Sequence, residues 1–234
     1  MKLEKLEGFE IHSFLDEFNE DRDVFDREAS YDFCYNYFRN FYEDNCIEKI
    51  YSLDNLEVSC LQLAFYLASW GMYRGSSKLF QKSIKVYEEI IKEISKEHLL
   101  WEIDVDNYDK NNIDAILKFK IKIEKSLEVY GINASDTLTT KIIMGVFGCV
   151  PAFEYYFKKG LKVKTLNKNS LTEIKEFYDK NCNVIDMFYG DENFKTFDVT
   201  TKDTRFNYKK AKIIDMIGYI LGEKIEKGIF INPK

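Results

Sequence analysis

Residues 30 to 43 read SYDFCYNYFRNFYE, and their spacing sets the fold class. Tyr31, Cys34, Tyr35, Phe38, Phe41 and Tyr42 recur at steps of three and four. That rhythm gathers them into one stripe of a helix; a strand would split them between two faces. Ser30 stands where a helix cap belongs. An aromatic stripe can pack a core or stack nucleobases. Its period and its acidic neighbours favour the core.

The same rhythm continues outward. Asp54 to Ser69 predicts a helix with Val58, Leu61, Ala64, Phe65 and Ala68 on its inner side, capped by Asp54 and stopped by Gly71. Leu79, Phe80, Ile84, Tyr87, Ile90, Ile91 and Ile94 predict one long helix beginning at Ser76. A further helix ends near Tyr130, at Gly131. Ser135 caps DTLTTKIIMGVF, and Pro151 opens PAFEYYFKKGL at a first-turn position. Ser170 and Glu173 form a capping box for LTEIKEFYDKN. Asn207 to about residue 227 supplies the last helix. FKTFDVTT (194 to 201) and GIFIN (228 to 232) read as extended. Only 2 prolines and 11 glycines interrupt 234 residues, so few breakers oppose long helices. The expectation is an all-α protein, a compact orthogonal bundle of about eight to ten helices with little or no sheet. Residues 1–234 read as a single helical domain, and the polar stretch 104 to 112 is the candidate subdomain boundary.

Charge is unevenly spread. Residues 1 to 60 carry 16 acidic against 6 basic side chains, while the remainder carries 24 against 28, for a net charge of −6. An acidic front end is suited to a basic protein partner, and a basic later part to a phosphate backbone; plain solvated helix surfaces explain the same imbalance. The five cysteines, Cys34, Cys46, Cys60, Cys149 and Cys182, are odd in number and form no CxxC pair. They predict buried thiols in a reducing cytoplasm. No apolar run approaches the roughly 18 residues of a membrane span, and MKLEKLEGFE lacks the apolar centre of a signal peptide. No membrane partner is expected.

Metal and cofactor chemistry are poorly supplied. The two histidines, His12 and His98, lie far apart, and neither has a second ligand at helical spacing. P-loop, GxGxxG and G-x-S-x-G patterns are missing, which argues against nucleotide kinases, dinucleotide enzymes and α/β-hydrolases. No cofactor and no metal are expected. Two constellations remain. In LAFYLASWGMYRGSSKLF (63 to 80), Arg74, Gly75, Ser76 and Ser77 stand where a helix start would offer N–H groups to an anion. The same residues also make a plain helix–helix turn. In TTKIIMGVFGCVPAFEYYFKKGLKVK (139 to 164), Lys141 sits on an apolar helix and Glu154 opens the next. Burial would favour the neutral, nucleophilic amine of Lys141. A lysine snorkelling to a helix rim, with Glu154 favoured by the helix dipole, explains the same pattern. Lys158, Lys159 and Lys162 come next as candidate phosphate contacts.

A lysine on an apolar helix, then a proline and an acidic residue opening the next helix, resembles the helix-hairpin-helix DNA glycosylase fold. The likeness is closest to its small bacterial 8-oxoguanine-glycosylase-like relatives. It covers about 25 residues, so the roles it implies are expectations. The resemblance implies Lys141 as the amine that attacks the sugar, Glu154 as its assisting acid, and KKAKIIDMIGYILG (209 to 222) as a closing helix. The chain departs from the family in having Glu rather than Asp, and YGINAS where a glycine-rich hairpin stands. LASWGMYRGSS and KIIDMIG also resemble segments of uncharacterised bacterial helical proteins. The functional expectation is therefore a nucleic-acid-associated, glycosylase-like protein or a degenerate relative, in which Lys141, Glu154 and Arg74 line one concave surface. The alternative is a non-enzymatic interaction module whose acidic front end docks a basic partner.

Overall fold

The aromatic stripe forms the inner face of a helix in the computed structural model, which describes residues 8–20, 22–75, 77–200 and 204–229. Helix α1 is Gly8–Glu20 and α2 is Ala29–Glu43. Tyr31, Cys34, Tyr35 and Phe38 of α2 are buried, and Phe41 and Tyr42 are half-buried against the same core. Ser30 is not the cap. The helix starts one residue earlier, after Glu28, and the Ser30 hydroxyl is buried inside it.

Helices α3 (Leu56–Ser69), α4 (Glu88–Ile94), α5 (Lys110–Glu128), α6 (Asp136–Phe147), α7 (Tyr155–Leu161), α8 (Lys168–Tyr189) and α9 (Lys210–Glu226) complete an all-α bundle. The one sheet among the described residues is a short antiparallel hairpin of β1 (Lys195–Phe197) and β2 (Thr204–Asn207). The extended reading of 194 to 201 thus falls on β1, while residues 230 to 232 of GIFIN lie outside the described residues. One contiguous cluster of buried side chains runs from Ile11 of α1 to Leu221 of α9. Among the described residues no helix is long and apolar enough to cross a membrane.

Several local expectations change in the structure, each for a physical reason. Helix α3 turns the opposite face inward: Val58, Leu61 and Phe65 are 42%, 46% and 60% exposed, while Cys60, Leu63, Ala64, Tyr66 and Leu67 are buried. This helix is apolar nearly all round, so its period selects no face. Close packing selects one instead. The Tyr66 ring lies against Gly145 of α6, and the Ser59 hydroxyl donates to the Ile50 carbonyl at 2.8 Å. Asp54 does not cap α3; Asn55 precedes it without a side-chain capping bond, and Gly71 ends it in the left-handed region at φ 76°.

The long helix expected from Ser76 is broken. Two short 3-10 turns, Lys78–Gln81 and Ile84–Tyr87, precede α4. Ser77 and Ser83 each accept a backbone N–H, from Leu79 and Lys85, and Lys82 between the turns is extended. Serine side chains compete here with the helical backbone ladder. The cap of α8 is also displaced: Asn167 and Ser170 form the box, not Ser170 and Glu173. Pro151 lies in an extended stretch before α7, and Glu154 is the N-cap. The 104 to 112 stretch is tied into the bundle, because the Asp104 carboxylate accepts the backbone N–H groups of Lys210 (2.8 Å) and Ala211 (2.9 Å) at the start of α9.

Helices α7 and α9 approach until their backbones touch. A methyl group at Gly160 would fall on the carbonyl oxygen of Gly218, and one at Gly222 on that of Tyr156. Phe157 of α7 fills the space over Gly218. This contact fixes α7, and with it Glu154, against α9.

Candidate functional site

Ser135 caps α6, its hydroxyl accepting the Leu138 N–H at 3.2 Å, and this sets the phase that turns Lys141 inward. Lys141 is only 2% exposed. Beside it in the chain, the Thr140 hydroxyl donates to the Asp136 carbonyl at 2.7 Å and accepts the Phe153 N–H at 2.8 Å. That second bond pins the extended stretch after Pro151 to α6 and delivers Glu154 to the same side. Asp215 of α9 holds the stretch from the other direction: one carboxylate oxygen accepts the Ala152 N–H at 2.9 Å, and the other takes the Lys212 ammonium at 2.8 Å.

These residues line a cleft of about 240 Å³. Its walls come from α1 (Glu17, Phe18), the connector after it (Arg22, Asp26, Glu28), the end of α3 (Trp70) and α9 (Met216, Tyr219, Glu223). Trp70 is the hub of its charges. The Lys141 ammonium lies 4.8 Å from the indole centroid, Arg27 5.3 Å and Lys212 5.6 Å, all within cation–π range. Among the described residues Lys141 makes no hydrogen bond and no salt bridge, whereas Lys212 is paired with Asp215.

Burial pulls the Lys141 amine below the ordinary lysine range, although Asp215 and Glu154 partly oppose the shift. Burial pushes the Glu154 carboxyl above its ordinary range, with the Asp215 charge adding to the effect. Each shift leans toward the uncharged form of its group.

No family model, curated protein or solved structure matches the chain. The site therefore stands on its own geometry.

That geometry brings Lys141 and Glu154 together and leaves the other expected contacts outside. Arg74 and Gly75 are exposed, and neither lines the cleft; the Arg74 guanidinium folds back over Gly71. Ser76 lies outside the described residues, and the Ser77 hydroxyl is taken by the Leu79 N–H. With a four-residue 3-10 turn in place of the long helix, the N–H groups expected to meet an anion are not assembled there. Lys158, Lys159 and Lys162 lie on α7 or at its end, away from the cleft; Lys159 is paired with Glu226, and Lys162 is the exposed C-cap. The cleft draws its guanidinium from Arg22. Four of its functional groups, Arg22, Trp70, Lys212 and Asp215, lay outside the expected set. One signal for them was present: Lys212 and Asp215 stand three residues apart inside the apolar run AKIIDMIGYIL, where a buried polar pair needs a reason.

Among the described residues no group of three His, Cys, Asp or Glu side chains could hold a metal ion. Three thiols, Cys34, Cys60 and Cys149, are buried and two, Cys46 and Cys182, are half-buried.

Behind Trp70, Asp32 is 3% exposed, and its oxygens accept the Tyr208 hydroxyl (2.7 Å and 2.8 Å) and the Phe197 N–H (3.0 Å). Burial raises its carboxyl to about 6. The folded state therefore holds a proton that the unfolded chain releases near pH 4. Stability from this group is complete below pH 4 and is lost as pH rises through 6, by about 3 kcal/mol at most. Urea midpoints of the wild type are expected to lose this contribution between about pH 4 and pH 6, and Asp32→Asn to flatten that part of the profile. An identical slope in the variant would remove Asp32 as its source.

Proposed function

We propose that the cleft acts on a single nucleobase-bearing unit extruded from a nucleic acid, by glycosylase-like chemistry with Lys141 as nucleophile and Glu154 as acid and base. The observation that carries this reading is the burial of the Lys141 amine in a cleft of about 240 Å³ that also holds Glu154 and an indole wall. An amine desolvated in this way is the activated form of a lysine nucleophile. In the step, the neutral Nζ lone pair forms a bond to the anomeric carbon. The glycosidic C–N bond breaks, and its electron pair leaves with the base, which takes the proton of the Glu154 carboxylic acid. The Glu154 carboxylate then recovers a proton from the Nζ ammonium. Trp70 and Tyr219 offer aromatic surface for a planar base. Lys158 and Lys162, on the outer side of α7, are the candidate phosphate contacts in this reading. A reducing cytoplasm suits its unpaired thiols.

Borohydride trapping on a duplex containing an abasic site tests the proposal without knowledge of the base. The aldehyde and the Lys141 amine form an imine with loss of water, and hydride reduction makes the link permanent. A covalent protein–DNA band is expected for the wild type and is expected to vanish in Lys141→Met, with Glu154→Gln reducing its rate by roughly tenfold or more. Weakening with added salt and in Lys158→Ala would mark phosphate contact. A band that persists in Lys141→Met, or none at low salt, overturns the reading.

One observation favours a second reading, a protein-interaction module. The cleft mouth carries Glu17, Asp26, Glu28 and Glu223, and α3 presents exposed Val58, Leu61 and Phe65 nearby in sequence to the exposed Leu53. Capture of a basic protein that is lost on reversing the charge of Asp26 and Glu28, without any trapped DNA, would establish this reading instead.

A further inference from the structure

Among the described residues, three unpaired buried donors belong to side chains around one small space. A small chamber of about 20 Å³ lies behind the cleft, and Phe18, Arg22, Glu28, Trp70, Lys212 and Met216 line both spaces. Among the described residues seven buried side-chain polar atoms lack a hydrogen-bond partner. Three of them, Arg22 Nε, Arg22 Nη1 and Trp70 Nε1, belong to residues lining this chamber; Tyr31 also lines it, but its hydroxyl lies toward Gly148. An unmet buried donor is costly, so several sharing one space point to an acceptor that belongs there.

Arg22 is held ready for such an acceptor. Its guanidinium lies over Phe197 at 4.2 Å, Tyr208 at 5.2 Å and Phe194 at 5.8 Å, and Nη2 donates to the Lys195 carbonyl at 2.7 Å. These contacts fix the group and leave Nε and Nη1 unused. The nearby carboxylates are engaged elsewhere. In the chamber wall Asp32 accepts from Tyr208 and Phe197, Asp23 from the Phe25 N–H and Glu28 from Arg27, and in the cleft Asp215 accepts from Ala152 and Lys212. Among the described residues Arg22 has no salt-bridge partner.

We propose that the seam between cleft and chamber is a carboxylate subsite, in which Arg22 is the counter-ion and the Trp70 N–H a second donor. The chamber has room for about one water-sized atom. One oxygen of a flat carboxylate fits that space while its second oxygen remains in the cleft. The ligand is a small monocarboxylate, or a compact molecule ending in one. This subsite goes beyond the amine chemistry and does not depend on whether Lys141 reacts.

Acetate is the probe, with ionic strength held constant by chloride. The chain has two tryptophans, so its indole N–H resonances can be separated by Trp70→Phe. The Trp101 N–H already donates to the Glu97 carbonyl at 2.7 Å and serves as the internal reference. Acetate is expected to shift the Trp70 resonance saturably and to leave the Trp101 resonance in place. Arg22→Met is expected to weaken acetate at least tenfold, and Arg22→Lys to weaken it less. A linear shift that chloride reproduces overturns the subsite in the wild type alone, whatever the variants do. Stronger binding of inorganic phosphate than of acetate overturns the assignment to carboxylate. A saturable acetate response without trapped DNA removes only the amine chemistry; trapped DNA without an acetate response removes only the subsite.

Discussion

Gly160→Ala is expected to lose at least about 4 kcal/mol of stability, a large share of the total for an ordinary domain. The added methyl meets the backbone oxygen of Gly218, which cannot rotate out of the way as a side chain would. Helices α7 and α9 must separate or α7 must turn, and either movement opens the packing of Phe157 and Leu161. Gly222→Ala meets the Tyr156 carbonyl and should be equally severe. Gly190→Ala is the control. It caps α8 in ordinary helical backbone, and its methyl would come no closer than 3.5 Å to the Asp186 carbonyl. That variant should lie within about 0.5 kcal/mol of wild type or gain slightly. Urea midpoints of the three proteins decide the matter; a mild effect at Gly160 would mean that the two helices are not in backbone contact.

Asp215→Ala is expected to cost about 4 kcal/mol. Its carboxylate meets both the buried Lys212 ammonium and the Ala152 N–H, and it is the strongest counter-charge in the field of Lys141. Removing it leaves the buried Lys212 ammonium without its partner and the Ala152 N–H without its acceptor. The double variant Lys212→Met with Asp215→Leu should recover most of the loss, because a buried pair exchanged for apolar side chains costs much less than a broken pair. A loss below about 1 kcal/mol in Asp215→Ala, in chemical denaturation at pH 7, would show that solvent screens the cluster.

The sequence was most informative where one periodic pattern had one physical outcome. Tyr31 to Phe38 could bury their rings together only on a helix, and Ser135 could cap only the helix beginning at Asp136. It was ambiguous where the outcome depended on distant partners. The face of α3 was decided by Gly145, about eighty positions away from Tyr66, and no local rhythm encodes that meeting. Likewise Ser77 and Ser83 looked like residues of a continuing helix until their hydroxyls claimed the backbone N–H groups. At the cleft, Lys141 and Glu154 were legible because an apolar helix and a helix start frame them closely. Arg22 and Trp70 were not, since each enters the cleft from a connector or a helix end whose course the core dictates.

The contact of α7 with α9 also governs how the cleft can respond to an occupant. With backbone against backbone at Gly160 and Gly222, Glu154 and Asp215 sit on a single stiff slab, and their spacing adapts little to what arrives. Any widening falls to the opposite bank, formed by α1 and the connector bearing Arg22. On the proposed function, selection of a guest by shape falls to the bank that yields, and the acid group to the one that does not.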